Sequence, residues 1–230
     1  MLIQEYAMKK IKTAIEKKPA IKIIPSILSA DFSNLQKDVD KVKNADWLQI
    51  DVMDGHFVNN ITFGPIVMKG IKTKLKLDVH LMIENPEKFL KQFVDAGAYS
   101  ITFHIEASKN PLKIISTIKK FNAGAGIAIN PETPASKIKK LLPYLDQVIV
   151  MTVNPGSGGQ KFLSSCLSKV KEIRKSFAGD IEVDGGINEK TIALAAKAGA
   201  NAFVAGSYVF KSSSPSKRVE LLRKTAQKYY

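Results

Sequence analysis

The sequence contains a single cysteine, Cys166, among its 230 residues. One thiol cannot form a disulfide within the chain, so a small secreted scaffold held together by disulfides is excluded. Disulfide bonds mark oxidising compartments, and their absence is the ordinary condition of proteins kept in a reducing one. We therefore expect the protein to be cytoplasmic.

Long apolar runs are missing as well. The longest, such as residues 147–153, are far too short to cross a hydrocarbon core of about 30 Å. The N-terminus mixes lysines with Glu5 and Glu16 and lacks an apolar core followed by a small-residue cleavage site, so no signal peptide is predicted. It also lacks arginine, which argues against an organellar transit peptide. We expect no membrane partner.

Arginine is scarce throughout, since Arg174, Arg218 and Arg223 are its only occurrences, yet the formal net charge is +14 because lysine is abundant. Arginine is the residue that grips phosphates and bases with a bidentate fork, so its scarcity matters here. The lysines are spread over nearly every predicted helix rather than concentrated in one arm. The charge thus indicates a solvated exterior and no nucleic-acid partner, while its positive field favours a small anionic substrate.

Apolar, β-branched runs alternate with helical patterns from residue 21 to the C-terminus. The strand candidates are residues 21–27, 47–52, 75–82, 100–105, 125–129, 147–152, 181–184 and 202–205. The helix candidates are residues 33–44, 64–73, 86–96, 111–121, 134–142, 161–177, 188–198 and 214–228. Strands separated by helices must run parallel, because a parallel neighbour needs a long crossover. Eight such units predict a single (β/α)8 TIM barrel over residues 20–230.

Two features qualify this architecture. A doubly wound open sheet is the competing fold, but it usually carries a glycine fingerprint after its first strand, where this chain reads SILSAD at 26–31. Residues 1–19 precede the barrel and place Ile3, Ala7, Ile11 and Ile15 four apart. That spacing predicts an extra basic amphipathic helix, which we expect to pack on the bottom of the barrel or on a partner subunit.

Metal-capable side chains stand in the predicted strands near their C-terminal ends, where such barrels carry their active sites. Asp51 ends the second strand, His80 lies in the third, and Asp184 ends the seventh. Alternation along a strand turns all three toward one interior cavity. His104 and Glu106 end the fourth strand and have two open interpretations, support of the rim or a structural hydrogen bond.

Glycine-rich turns follow the predicted strands six, seven and eight, reading NPGSGGQ at 154–160, DGG at 184–186 and GS at 206–207. Glycine lets backbone N–H groups approach an anion closely. The loops after strands seven and eight are the usual phosphate site of these barrels. The three loops together predict a phosphate-binding cradle.

These same segments carry a family resemblance. The motifs are PSILSAD at 25–31, DVMDGHFV at 51–58, DVHLM at 78–82, FHIEA at 103–107, VMTVNPG at 150–156, GGQKF at 158–162 and EVDGGI at 182–187. They resemble the ribulose-phosphate 3-epimerase family, in the same order, from about residue 21 to 210. The resemblance implies a TIM barrel that binds a divalent metal and interconverts ribulose 5-phosphate and xylulose 5-phosphate in the pentose phosphate pathway.

The resemblance also implies roles for individual residues. Asp51 matches the proton acceptor and Asp184 the proton donor, the two exchanging roles in the reverse direction. With His80 they match the ligands of one divalent ion, with zinc, iron, manganese and cobalt as candidates. The matched substrate contacts are Ser26, His80, Met53, Met82, Met151, Gly156, Ser157, Gly158, Gly159, Gly185, Gly186, Gly206 and Ser207.

Two positions depart from the family pattern. The family reads His-x-Asp at the second strand, whereas this chain has Gln49 two residues before Asp51. Coordination through the amide oxygen, contact through water, and no contact with the metal all stay open. Ser157 stands where the family commonly has phenylalanine, so a bulky apolar contact over the substrate is missing.

The resemblance leaves two alternatives to the ketopentose phosphate. One is a 3-epimerase of a hexulose phosphate such as allulose 6-phosphate, which would use the same carboxylates and cradle. The other is a non-catalytic phosphosugar-binding barrel with an impaired metal site, an alternative that Gln49 keeps open. Members of the family are often oligomeric, so we expect a homo-oligomer.

Overall fold

The computed structural model describes residues 19–230, in which eight parallel strands form a single sheet. The strands are β1 (Lys22–Ile24), β2 (Trp47–Met53), β3 (Lys76–Met82), β4 (Ala98–His104), β5 (Gly124–Ile129), β6 (Gln147–Met151), β7 (Asp180–Asp184) and β8 (Ala202–Val204). Each predicted strand is present at nearly its predicted place. The predicted N-terminal helix falls almost entirely outside the described residues.

The sheet closes on itself between its first and last strands. β1 pairs with β8 through Ile23 and Phe203, and every other strand pairs with its neighbour in the chain. The remaining seam, between β1 and β2, is closed by a parallel bridge from Ser26 to Gln49 and by the Gln49 N–H donating to the Pro25 carbonyl at 2.9 Å. The TIM barrel is therefore confirmed, and the open doubly wound sheet is excluded.

Helices follow the strands around the outside of the barrel. In residues 19–230 they are α1 (Leu35–Lys41), α2 (Pro65–Gly70), α3 (Leu90–Asp95), α4 (Pro111–Lys120), α5 (Leu167–Arg174), α6 (Glu189–Ala198), α7 (Ser207–Phe210) and α8 (Pro215–Tyr229). Pro65, Pro111 and Pro215 each occupy a first turn, where the missing N–H has no helical partner to lose. No helix within residues 19–230 is long and apolar enough to span a membrane.

The structure corrects two of the helix predictions and adds one short helix. The predicted helix at 134–142 is wrong, because the chain forms two 3-10 turns there, Ala135–Ile138 and Leu142–Tyr144, and Pro143 cannot continue an α-helical ladder. The predicted helix at 161–177 begins only at Leu167. The preceding loop stays on the barrel mouth, where the Leu163 N–H donates to the Thr152 carbonyl at 2.8 Å. The short helix α7 was not predicted.

Alternation along the strands separates the helix-packed core from the barrel interior. Ile50 and Val79 point outward into a hydrophobic cluster that also contains Phe93 of α3 and Ile114 of α4. Their neighbours point inward, and the β2–β3 register sets Asp51 beside His80 and Met53 beside Met82. The prediction that alternate residues of β2 and β3 face the barrel interior is confirmed.

A layer of buried polar side chains fills the barrel interior, one layer closer to the N-terminal ends of the strands than Asp51 and His80. Gln147 Nε2 donates to Asp78 Oδ1 at 2.9 Å and to Thr102 Oγ1 at 2.7 Å. Glu182 is fully buried in the same interior, and burial together with the charge of Asp78 raises the pKa of Glu182 well above its ordinary value. This layer fills the interior beneath the residues that line the mouth.

Candidate active site

A cavity of about 650 Å³ opens at the C-terminal ends of the strands. Asp51 and Asp184 line it, and the loops that follow β1, β6, β7 and β8 form its rim. This is the end at which (β/α)8 barrels place their catalytic groups. The cavity therefore exposes the two carboxylates that the sequence singled out, whereas His80 is fully buried and does not line it.

Asp51, His80 and Asp184 lie in direct contact although three different strands carry them. His80 Nδ1 is 3.1 Å from Asp51 Oδ1 and 3.3 Å from Asp184 Oδ2. The His80 side chain is fully buried, and one candidate ligand atom from each residue falls within 4.8 Å of the others. This spacing is compatible with a divalent metal ion held by one imidazole and two carboxylates.

The pKa values follow from this packing. Burial alone lowers the pKa of His80, but hydrogen bonds and charges from Asp184 and Asp51 outweigh it and raise the pKa to about 9. Burial raises the pKa of Asp184, with the hydrogen bond to His80 opposing the shift. Without a cation, His80 therefore carries the positive charge that holds the two carboxylates together.

His80 is oriented from behind by a second histidine. His80 Nε2 lies 2.8 Å from His104 Nε2, and the two rings stack with centroids 5.0 Å apart. Burial lowers the pKa of His104 to about 4, so this ring is neutral and accepts the hydrogen bond. On the far side, His104 Nδ1 is 3.4 Å from Glu106 Oε2, and Glu106 accepts from the Asn130 N–H at 3.0 Å.

His104 thus supports His80 through a hydrogen bond, with Glu106 close behind it, and neither His104 nor Glu106 lines the cavity. Of the two interpretations left open by the sequence, the structural hydrogen bond matches this arrangement. Support of this kind fixes the ring orientation of a histidine ligand.

Besides His80, two further neighbours hold Asp51 by hydrogen bonds. The Ser26 hydroxyl, at the end of β1, donates to Asp51 Oδ2. Gln49 Nε2 donates to Asp51 Oδ1 at 2.8 Å and to Asp184 Oδ2 at 2.9 Å, while Gln49 Oε1 is buried without a hydrogen-bond partner. Gln49, the departure from the family pattern, therefore lies among the metal-capable groups.

Methionines form the apolar wall of the cavity. Met53, Met82 and Met151 all line it and are between 2% and 4% exposed. Met53 and Met82 pack with Val58, and Met151 is the register neighbour of Asp184. Polarizable, water-excluding side chains therefore stand beside the carboxylates.

The glycine-rich loops also line the mouth. All the cradle positions named from the sequence line the same cavity, namely Gly156, Ser157, Gly158, Gly159, Gly185, Gly186, Gly206 and Ser207. Gly186 has a φ of +66°, and a Cβ there would lie 2.8 Å from the Phe162 backbone nitrogen. A Cβ on Gly206 would lie 2.8 Å from Ser29 Oγ. These glycines bring the loop after β7 against the loop after β6, and the loop after β8 against the loop after β1, as a site lined by backbone N–H groups requires.

Several cavity residues were missed by the sequence reasoning. Ser29, Tyr208 and Lys211 also line the mouth, and Lys211 directly follows α7. Ser29 belongs to the motif PSILSAD at 25–31, but nothing in the neighbouring sequence indicates that its side chain reaches Gly206. Lys211 is one lysine among many, so its position becomes evident only once α7 is known.

The fold and the site together define a barrel enzyme that works at the C-terminal ends of its strands. Solved structures share this fold. 3-Keto-L-gulonate-6-phosphate decarboxylase from Vibrio cholerae superposes with a TM-score of 0.72, at 13% identity, over 93% of this chain and 100% of that one. 3-Hexulose-6-phosphate synthase from Salmonella typhimurium gives 0.71, at 16% identity, over 91% and 100%. At these identities the likeness concerns the fold alone.

Sequence comparison is more specific. Residues 22–210 match the ribulose-phosphate 3 epimerase family. The ribulose-phosphate 3-epimerase of Mycobacterium bovis is 46% identical over 211 residues, which cover 89% of this chain and 92% of that protein. The ribulose-phosphate 3-epimerase of Bacillus subtilis is 45% identical over 213 residues, covering 88% and 98%. The chain belongs to the ribulose-phosphate 3-epimerase family, and it is an isomerase.

Proposed function

We propose that this isomerase inverts C3 of a ketopentose phosphate, interconverting D-ribulose 5-phosphate and D-xylulose 5-phosphate. The observation that carries the proposal is the pair of carboxylates, Asp51 and Asp184, in a cavity rimmed by glycine loops. Two relatives of similar length, 46% and 45% identical, are named for this activity. A phosphorylated sugar also suits a strongly basic surface.

The proton transfer follows from the two carboxylates. Inversion requires removal of the C3 proton from one face and return of a proton to the other, so one acid–base group is needed on each face. Asp51 accepts the proton and Asp184 donates one in the forward direction, and the roles exchange in reverse. Ser26 and Gln49 hold Asp51 in position through their hydrogen bonds.

The phosphate is assigned to the cradle formed by Gly156, Ser157, Gly158, Gly159, Gly185, Gly186, Gly206 and Ser207. Backbone N–H groups of such loops bind phosphate oxygens without adding a charged side chain. Lys211, at the same rim, contributes a positive charge. Met53, Met82 and Met151 cover the reacting carbons and exclude water from the intermediate, with His80 beside them.

A divalent cation fits among Asp51, His80 and Asp184, because their candidate ligand atoms lie within 4.8 Å of one another. Gln49 carries a further oxygen of suitable chemistry, buried and unpartnered, although its NH2 group is the end that faces the carboxylates. When bound, zinc, iron, manganese or cobalt would act as a Lewis acid that stabilises the enediolate charge. His104 and Glu106 hold His80 in the orientation that a ligand needs.

A coupled epimerase assay tests the proposal. Purified protein is given D-ribulose 5-phosphate and, separately, D-allulose 6-phosphate, with and without prior treatment by a chelator. We expect turnover of the pentulose phosphate at the higher kcat/KM, lost after chelation and restored by added manganese. A higher kcat/KM for the hexulose phosphate would reassign the substrate. Binding of both sugars without turnover under any metal would indicate a non-catalytic phosphosugar-binding barrel.

A further inference from the structure

Gln49 connects the two carboxylates to which the proposed function assigns proton transfer. Its side chain is fully buried, and one amide group reaches Asp51 Oδ1 at 2.8 Å and Asp184 Oδ2 at 2.9 Å. The amide thereby links β2 to β7, which are separated by two other strands in the closed barrel. It is a crosslink inside the barrel mouth.

The chemistry of the contacts fixes which end of the amide faces the carboxylates. Ionised carboxylates only accept hydrogen bonds, so an NH2 group satisfies both of them and an amide oxygen at the same place would be repelled. The oxygen is left on the other side, buried and without any donor. A buried oxygen without a partner is destabilising. The present arrangement therefore provides hydrogen-bond partners for the NH2 group of Gln49 but none for its oxygen.

A cation among Asp51, His80 and Asp184 reverses this preference. The carboxylates would then be neutralised by the ion, and an NH2 group directed at the ion would be repelled by it. The amide oxygen is the end that a cation attracts. The same side chain therefore suits the site with and without metal, but in opposite orientations.

We infer that Gln49 is a two-position side chain, whose NH2 crosslinks Asp51 and Asp184 in the metal-free protein and whose oxygen turns toward a divalent ion when one binds. The inference rests on the metal site of the proposed function. It has two consequences. The metal-free barrel is stabilised by the crosslink, and metal binding is weakened because the crosslink must be given up.

Thermal unfolding of Gln49→Met tests the crosslink. The thioether keeps the bulk and removes the donor, so in chelator we expect Tm to fall by about 4–10 °C relative to the parent. Saturating Mn²⁺ should reduce this loss, because the cation then neutralises the carboxylates and only the contact of the amide oxygen with the ion is missing. An unchanged Tm in chelator, or a loss that persists equally with Mn²⁺, would overturn the inference.

Gln147→Met is the matched control. Gln147 is also a buried glutamine of the barrel interior whose Nε2 donates twice, to Asp78 and Thr102, but it contacts none of the three metal-capable residues. We expect its Tm loss to be the same with and without Mn²⁺. Rescue of this variant by Mn²⁺ to the same extent would mean that the metal stabilises the barrel generally, and would count against the crosslink.

Gln49→Glu tests the orientation in which the side-chain oxygen faces the ion. It also provides a test if Gln49→Met does not fold in chelator. The change retains an oxygen and removes the donor, so titration calorimetry with Mn²⁺ should show binding tightened by about 10–100-fold. In chelator the variant should unfold at lower temperature, since three carboxylates then lie together. Binding of Mn²⁺ no tighter than in the parent would show that Gln49 does not face the ion.

None of these measurements uses the substrate. Failure of the epimerase assay with a normal outcome for the Gln49 variants would reject the proposed function alone. Turnover of the pentulose phosphate with no effect at Gln49 would reject the two-position side chain alone.

Discussion

At the scale of single residues, the proposed mechanism depends on Asp51 and Asp184, which come from strands far apart in the sequence. Each is expected to serve both as a proton-transfer group and as a charged ligand. We expect Asp51→Asn and Asp184→Asn each to lower kcat by more than the ~10²–10⁴-fold typical of general acid–base catalysis alone. Steady-state kinetics with D-ribulose 5-phosphate checks this.

Asp95→Asn on α3 is the matched control for these two changes. Asp95 is half exposed and pairs with Lys91 on the same helix, so it should retain parental kinetics. Activity within a few-fold of the parent in either Asp51→Asn or Asp184→Asn would refute the two-base mechanism.

The buried histidines predict how stability depends on pH in the metal-free protein. The pKa of His80 is raised from 6.5 to about 9, so its contribution, roughly 3 kcal/mol, is complete below pH 6.5 and is lost as the pH rises through 9. The pKa of His104 is lowered to about 4, so its contribution is present above pH 6.5 and is lost as the pH falls toward 4. Taken together, the two histidines favour greatest stability in chelator near pH 6–7.

Urea unfolding between pH 4 and 10 measures this profile. His80→Asn should remove the alkaline decline and leave the acidic one. Saturating metal should also remove the alkaline decline, because a ligating histidine is neutral. An alkaline decline of equal size in the His80→Asn protein would assign it to another group.

Residues were predictable from the sequence where strand alternation governs them. Asp51, His80, Met53 and Met82 face the interior because every second residue of β2 and β3 must. The bond from Gln49 to Asp184 was not predictable, since it depends on which side-chain rotamers fit between strands separated by two others.

At the scale of elements, the turn from β8 into the start of α7 bears on the proposed phosphate site. Ser207→Asp would place an anion against the substrate phosphate in a confined cavity. We expect KM to rise at least about tenfold, because like charges at close range repel strongly where water is scarce. Ser116→Asp, on the exposed outer face of α4, is the control and should leave KM unchanged. An unchanged KM in Ser207→Asp would remove this loop from the cradle.

Elements were predictable where a local signal is unambiguous. Proline in a first turn correctly marked the starts of α2 and α4. Pro134 gave the same signal and was misleading, because only a 3-10 turn follows it, and Pro143 lies in a second 3-10 turn at the end of the segment. The start of α5 was misplaced for another reason, since tertiary contacts draw the preceding loop onto the mouth and no sequence periodicity records them.

At the scale of the whole molecule, the expected homo-oligomer can be tested directly. Light scattering coupled to size-exclusion chromatography should give a mass of at least two chains, at low and high salt alike. The net charge of +14 makes the salt comparison necessary, because repulsion between like-charged chains is screened by salt. A monomer at both salt concentrations would contradict the expectation.

Closure of the barrel by the pairing of β1 with β8 has a consequence for a chain still being synthesised. β1 finds its partner only when β8 is made, and Asp184 follows Asp51 by more than half of the chain. A nascent chain that ends before β7 has the residue assigned to proton removal and lacks the one assigned to proton return. Under the two-base mechanism, a partly made or truncated chain is therefore unable to complete the reaction, and activity begins only once translation has delivered the last strands.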